Sequence, residues 1–408
     1  MLLLPSCSIA RHILRSRSGR PALKLGYDTG TGRAPCMRQS LTNKFSGIIH
    51  IINVSISLVN TFRDPPFPST STPLKNYLPG QTPDLTDLTR DVTPIPCHSH
   101  NDYWRRIPLY EALKWGCTGV EADVWLFDND LYVGHSASAL NRGRTFTSMY
   151  VDPLMRILEQ QNAVKEFVVG QERAGSNGVF EVDSKQTLVL LVDFKNDGHA
   201  IFPFVEAQIA PFREKGYLTY FDGNTTIPGP ITVVATGNAP FDSIIADSTY
   251  RDIFFDAPLD RLYKEGSPST SISASDSAPD LELHRHLQVP PPDSIRTSGQ
   301  GNVGTSPSSH FDPKNSYYAS VDFKKAVGWV WFGQLSDVQM ERIRGQVRGA
   351  KEAGLKARYW GTPSWPVGVR NKVWQVLVEE GVDYLNGDDL RGMTTVDWGV
   401  RRHWGWFG

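Results

Sequence analysis

Apolar residues in this chain come in short runs, and between the runs the spacing changes to one that suits helices. Candidate strands are PIPC (94–97), GVEADVW (119–125), LVLLVDF (188–194), ITVVAT (231–236), DIFFDAP (252–258), GWVWFG (328–333), KARYWG (356–361) and VDYLNG (382–387). Helical spacing is clearest over 335–353, where Leu335, Val338, Ile343, Val347 and Ala350 fall near one face before Gly354. It recurs over 369–380, where Val369, Val373, Val376 and Leu377 do the same before Gly381. Continuous apolar strands alternating with helices mark a parallel sheet covered on both faces. Eight of them predict an α/β fold, a (β/α)8 TIM-type barrel, regular or distorted. An open doubly wound sheet fits less well, because no glycine-rich phosphate turn follows the first strand.

The head of the chain and one inner tract fall outside this rhythm. Residues 1–63 carry nine Lys or Arg and a single acid, Asp28. The first 27 residues are rich in Arg and Ser and hold no acid, the composition of a mitochondrial presequence. FSGIIHIINVSISLVNTF (45–62) has no charged residue and lies near the lower limit of ~17 residues for a spanning helix. His50, Asn53 and its serines weaken it, and its β-branched residues also suit a strand. It is read as a signal anchor that would associate the chain with a membrane of the secretory pathway or the mitochondrion. A cleaved leader and a soluble element are the alternatives. Residues 64–93 form a linker rich in Pro, Thr and Asp. Residues 265–310 are so poor in apolar side chains that they predict a disordered loop insertion within a barrel spanning 94–400.

Composition removes one class of partner. The formal net charge is −1 and the sequence pI is about 6.8, so no basic field exists to draw nucleic acid. Eleven Trp, fourteen Tyr and nineteen Phe supply a large core and an apolar binding surface. The four cysteines are Cys7, Cys36, Cys97 and Cys117, and no C-x-x-C pair points to structural zinc. Cys97 and Cys117 flank a predicted helix. Their spacing decides nothing about a bridge, and free, partly buried thiols are expected.

Candidate chemistry gathers at strand ends, where barrels keep their sites. After the first strand stand His98, Ser99, His100, Asn101 and Asp102. On the second, Glu121 and Asp123 are two apart and point to one side, with Val120, Ala122 and Val124 on the other. FDNDLYVGH reads as a tight hairpin at Asp128–Asp130 returning to His135, and VDFK sets Asp193 and Lys195 on one side. Taken singly, an E-x-D pair on a strand is usually solvated or salt-bridged, and an H-x-H in a loop is no more specific. Their joint order at successive strand ends favours a site. Three carboxylates on an apolar framework repel unless one is protonated or a cation joins them. An all-oxygen set predicts a divalent cation, Mg2+ or Ca2+ rather than zinc, on Glu121, Asp123 and Asp193, with Asn101 adding a carbonyl oxygen. Lys195 suits a phosphate oxygen, and two histidines suit a general base and a general acid. This is a residue set for metal-assisted phosphodiester cleavage. Tyr103, Trp104, Trp125, Trp331 and Trp360 fit an apolar rim for lipid and ordinary barrel core equally. Asp152, Glu159, Asp388 and Asp389 are read as solvated or capping residues.

SHNDY (99–103) resembles the Ser-His-Asn-x-Tyr motif of eukaryotic phosphoinositide-specific phospholipases C. GCTGVEADVW (116–125) resembles their second-strand motif, which carries two metal-binding acids. VDFK is similar to the Asp-x-Lys strand of the spider-venom sphingomyelinase D group, which shares the E-x-D and paired-His plan with glycerophosphodiester phosphodiesterases. HSHNDYWRRIPLYEALKWGCTGVEADVWL, LYVGHSASAL, RTFTSMYVDPL, RYWGTPSWP and GVDYLNGDDL are together most similar to the fungal altered inheritance of mitochondria protein 6 family, over about residues 94–400. The resemblance implies a phospholipase-C-like phosphodiesterase barrel. It implies His100 and His135 as the catalytic histidines and Glu121, Asp123 and Asp193 as metal ligands, with Asn101 a fourth. Alignment on the histidine that ends the first strand selects His98 instead, whereas the Asn directly after His100 favours His100. The chain lacks the His-Arg and Pro-Glu-Asn of glycerophosphodiesterases and the accessory domains of eukaryotic phospholipases C. The expected substrate is a phospholipid or glycerophosphodiester. The rival expectation is a membrane-tethered barrel that binds lipid or a partner without turnover. A barrel hydrolase for sugars ranks lower, because its acids would flank a sugar rather than cluster.

Overall fold

In LVLLVDF every position but Asp193 is apolar, and a run of this kind is stable only where both faces are covered. It forms the central strand of a computed structural model that describes residues 88–163, 175–265, 300–331, 333–396 and 398, with Ile51 and Ser55 as isolated positions. The chain divides into a unit Met1–Ser57 and a unit Leu58–Gly408, and every element below belongs to the second. The strands are β1 (Ile95–Ser99), β2 (Cys117–Phe127), β3 (Asp130–Val133), β4 (Leu188–Phe194), β5 (Tyr220–Phe221), β6 (Thr226–Ile227), β7 (Ile231–Gly237), β8 (Ile253–Pro258), β9 (Ser316–Asp322), β10 (Lys356–Trp360) and β11 (Leu385–Gly387).

Eight of these strands run parallel in the order β10-β9-β8-β7-β4-β2-β1-β11. A parallel bridge between Arg358 and Tyr384 links the two ends, so the sheet is a nearly closed barrel. Strand β3 folds back on β2 as a hairpin through Asp128 and Asn129, both at positive φ, and β5 and β6 form a separate ribbon. Helices lie between the strands, the longest being Asp337–Glu352 and Val367–Glu379, close to the two helices expected. A capping box at Ser336 and Gln339 starts the first of them.

Alternation along each strand sorts side chains into two sets. Val120, Ala122, Val124, Leu188, Leu190 and Val192 pack outward into the main core under the helices. Val189, Leu191, Val234, Tyr318 and Tyr384 fill the barrel interior. Toward the C-terminal ends the interior turns polar, with Glu121, Asp123, Asp193, Asp256, Ser320, Arg358 and Asn386.

Several expectations are corrected. GWVWFG is not a strand: residues 328–331 form a loop, and the barrel position belongs to SYYASVD (316–322). That segment is masked in the sequence because alternate residues, Tyr318 and Ser320, face a partly polar interior. The first strand extends to Ser99, so His98 lies within it rather than after it. Cys97 and Cys117 are joined by a disulfide and not free, and adjacent pairing of β1 with β2 brings their Cα atoms to 4.8 Å. Residues 266–299 lie outside the described residues, but 300–310 are folded. There the Phe241 N–H donates to the Val303 carbonyl (3.1 Å), and Gln300 Nε2 donates to Asp256 Oδ2 (3.1 Å). Of the linker, 64–87 lie outside the described residues, whereas Leu88 is buried and Thr89 Oγ1 donates to the Val179 carbonyl (2.7 Å). The candidate anchor 45–62 also lies outside them, apart from Ile51 and Ser55. Among the described residues no helix is long and apolar enough to cross a membrane.

Candidate active site

Strand register places the acids. Asp123 on β2 is opposite Asp193 on β4, and Glu121 is one inward-facing position earlier. Carboxylate oxygens of Glu121, Asp123 and Asp193 lie within 4.8 Å of one another. Gly237, at φ +68° as β7 ends, leaves room for Asp193: a Cβ there would stand 2.0 Å from Asp193 Oδ1. Lys195 reaches back along its strand, with Nζ 2.6 Å from Asp193 Oδ2 and 2.9 Å from Asp123 Oδ2. Burial, then the neighbouring Asp193 and Glu121 charges, push Asp123 up to about 7. Its Oδ1 is buried and has no hydrogen-bond partner. Burial also raises Asp193. Three carboxylates and one ammonium leave a surplus of negative charge and an unsatisfied buried oxygen, which is a donor set suited to a hard cation.

The loop after β1 supplies the rest. Asn101 adopts the left-handed conformation (φ 46°, ψ 47°), which asparagine tolerates, and its backbone N–H donates to Glu121 Oε2 (3.3 Å). Its side-chain oxygen accepts from the Tyr103 hydroxyl at 2.6 Å. That hydroxyl is also 2.6 Å from Asp123 Oδ2 and 3.1 Å from His135 Nδ1. One proton serves two acceptors, and the carboxylate is the stronger, so an N–H at His135 Nδ1 can donate to the phenol oxygen. Tyr103 is thus a buried hub of the acid cluster, not part of a rim. Asp102 anchors the loop from below: it accepts from Ser99 Oγ (2.7 Å), the Leu109 N–H (2.6 Å) and the Tyr150 hydroxyl (3.1 Å).

The three histidines differ in setting. His98 is fully buried, with Nδ1 3.3 Å from the Tyr318 hydroxyl and Nε2 3.9 Å from Glu121 Oε2. Burial, aided by Arg358, holds its pKa well below the usual range, so it is neutral. It fits because position 119 is glycine: a Cβ there would stand 2.3 Å from its Nδ1. His100 is partly exposed, with Nδ1 3.0 Å from Asp388 Oδ1 and 3.2 Å from Asn101 Nδ2. Burial opposes its charge, but Glu121 and Asp388 outweigh that and raise its pKa. His135 is about half exposed, 3.6 Å from Asp123 Oδ2, with its ring against Trp104 at 4.8 Å between centroids.

All the predicted site residues therefore lie at one barrel mouth. Sequence reasoning missed three groups. Asp388 is not merely solvated but holds His100, and Arg105 braces the same turn by donating to the Asp388 and His100 carbonyls. Asp389, by contrast, does cap the helix Leu390–Thr395. Arg358 donates to Asp256 Oδ2 (3.1 Å), Asn386 Oδ1 (2.8 Å) and Ser320 Oγ (2.9 Å), filling the mouth beside the histidines. Gln300 ties Asp256 to Trp360, whose Nε1 donates to Gln300 Oε1 (2.9 Å). An acid pair after the last strand and a basic residue in RYWG were the available signals.

The class is that of an α/β-barrel protein with a phosphodiesterase-type domain: residues 86–256 match the family model described as AIM6-like phosphodiesterase domain. The chain is 38% identical to the altered inheritance of mitochondria protein 6 homolog of Arthroderma benhamiae, over 75% of this chain and 84% of that one. It is 34% identical to altered inheritance of mitochondria protein 6 of Kluyveromyces lactis (78% and 76% covered) and 30% to that of Saccharomyces cerevisiae (75% and 72%). No solved structure matches. The chain belongs to the altered inheritance of mitochondria protein 6 family, and these relatives are fungal.

Proposed function

We propose that the chain is a metal-dependent phosphodiester hydrolase acting on a phospholipid or glycerophosphodiester head group. The observation that carries this reading is the cluster of Glu121, Asp123 and Asp193, with an orphaned Asp123 oxygen, beside Lys195 and two accessible histidines. The three acids would hold Mg2+ or Ca2+, which would polarise the phosphoryl group and offset its charge. Asn101, whose oxygen lies 2.6 Å from the Tyr103 hydroxyl and keeps a second lone pair, would add a carbonyl oxygen to this set. Lys195 faces a phosphoryl oxygen. Asp388 accepts a hydrogen bond from the Nδ1–H of His100, which leaves the Nε2 lone pair to accept a proton from the nucleophile, a water or a neighbouring substrate hydroxyl. His135, backed by Tyr103, protonates the leaving oxygen. His98 is buried and neutral, and its Nε2, 3.9 Å from Glu121 Oε2, has no hydrogen-bond partner, so it is given no proton-transfer role in this reading.

The test is hydrolysis of a soluble glycerophosphodiester and a lysophospholipid with Mg2+ or Ca2+ and with EDTA. EDTA should abolish turnover, and Glu121→Gln should lower it by about a hundredfold or more. Full activity of Glu121→Gln would sink the assignment. A second reading has one observation in its favour: Lys195 already lies between Asp123 and Asp193 and neutralises part of their charge without any cation. A barrel in that state would bind a head group without cleaving it. Calorimetry that finds head-group binding with no turnover under either cation selects this reading.

A further inference from the structure

Four tryptophans are more than half exposed among the described residues: Trp104 (57%), Trp329 (68%), Trp331 (74%) and Trp365 (67%). Tryptophan is seldom left this open, because its large ring is normally buried at least in part. All four lie in the segments that lead from the C-terminal ends of strands: Trp104 at the end of the helical turn Asp102–Trp104 after β1, Trp329 and Trp331 beyond β9 and the turn Phe323–Ala326, Trp365 after β10. Around the barrel, β9, β10, β11 and β1 are consecutive, since the Arg358–Tyr384 bridge joins β10 to β11. The rings therefore crown one arc of the mouth that holds the acids and histidines.

Cations accompany them. Lys324 Nζ stands 4.1 Å from the centre of the Trp329 ring, and the neighbouring Lys325 side chain is 75% exposed. Arg106 and Ile107, next along from Trp104, are exposed as well. We propose that this tryptophan-crowned arc docks the barrel mouth on an anionic phospholipid surface, the rings at headgroup depth and the lysines on lipid phosphates. Amphipathic indole rings partition to that depth, and basic side chains are drawn to the surface of an anionic leaflet. A bilayer accepts rings set on separate loops, whereas a protein partner needs one continuous complementary patch. The proposal rests on the phosphodiesterase reading only for its choice of lipid as substrate.

The test is sedimentation of the full chain with phosphatidylcholine vesicles, with and without phosphatidylserine. Binding should favour phosphatidylserine. Trp329→Ser with Trp331→Ser should weaken it about tenfold or more, and Trp329→Phe with Trp331→Phe should restore part of it. Lys324→Glu with Lys325→Glu should remove the phosphatidylserine preference. Any contribution of residues 45–62 is common to all these chains and cancels. Unchanged vesicle affinity in the serine double variant overturns the proposal. So does a change of oligomeric state in that variant without vesicles, which would mean a second copy covers the rings. Should the double variant fold poorly, quenching of the parent's fluorescence by brominated lipid decides, and no quenching overturns it. Tryptophan-dependent vesicle binding in a chain that cleaves no phosphodiester would leave this proposal standing and fell the functional reading alone.

Discussion

At the scale of single residues, the histidines gain distinct parts from what each one touches. His100 is hydrogen-bonded to a carboxylate, Asp388 at 3.0 Å, and part of its ring is open to the mouth. Asp388→Asn removes the charge that fixes its tautomer while keeping the volume. The expected result is a fall in kcat of about ten- to a hundredfold with little change in KM, as for outer partners that orient a histidine. A matching fall in His100→Ala, with Asp388→Asn adding nothing further in the double variant, would show that the two act as one unit. Equal and full activity in His98→Ala and His100→Ala would overturn the assignment of His100. The candidate residues themselves were legible, because each stands in a short motif at a strand end. Asp388 was not, because it is 288 positions from His100 and only barrel closure brings them together. Arg358 was hidden for the same reason. Its loss is expected to be severe: Arg358→Met leaves Asp256 a buried, unpaired carboxylate, and unfolding measurements should show a cost of about 3–5 kcal/mol.

At the scale of elements, the first two strands form the frame of the site. They carry His98, Glu121 and Asp123, and the disulfide Cys97–Cys117 ties them across a register shift between Ile95 and His98. Closing a loop of this length, with a sequence separation of 20, should stabilise the fold by about 3 kcal/mol. Cys97→Ala with Cys117→Ala should lower the denaturation midpoint accordingly, and an unchanged midpoint would show that strand pairing alone suffices. The bridge was illegible because spacing is silent on pairing until β1 and β2 are known to be neighbours. Strand β9 was missed for a different reason. Periodicity detects apolar runs, and GWVWFG is more apolar than SYYASVD. Yet the barrel needed a strand with Tyr318 and Ser320 turned inward, Tyr318 to meet His98 and Ser320 to accept from Arg358. The rejected run serves instead as an exposed loop on the mouth.

At the scale of the whole molecule, the barrel places its charge surplus where folding alone cannot relieve it. The apolar interior layer of Val189, Leu191, Val234, Tyr318 and Tyr384 lies beneath the acids, and burial is the main cause of the high pKa of Asp123. A ligand that binds only the assembled mouth must then stabilise the entire fold by mass action. Mg2+ or Ca2+ at a hundred times its dissociation constant should add about 2.7 kcal/mol, read as a rise of several degrees in melting temperature. A cation bound there would compete with protons for the same oxygens. With Asp123 pushed up to about 7, that carboxyl is mostly protonated in acid. The cation-induced rise should therefore be larger at about pH 8 than at about pH 5. Glu121→Gln should flatten the effect at both values, and Lys195→Met should enlarge it, since the ammonium competes with the cation for Asp123 and Asp193. A melting temperature indifferent to both cations at about pH 8 would mean that Lys195 alone balances the acids, and the barrel would then be read as a binding protein.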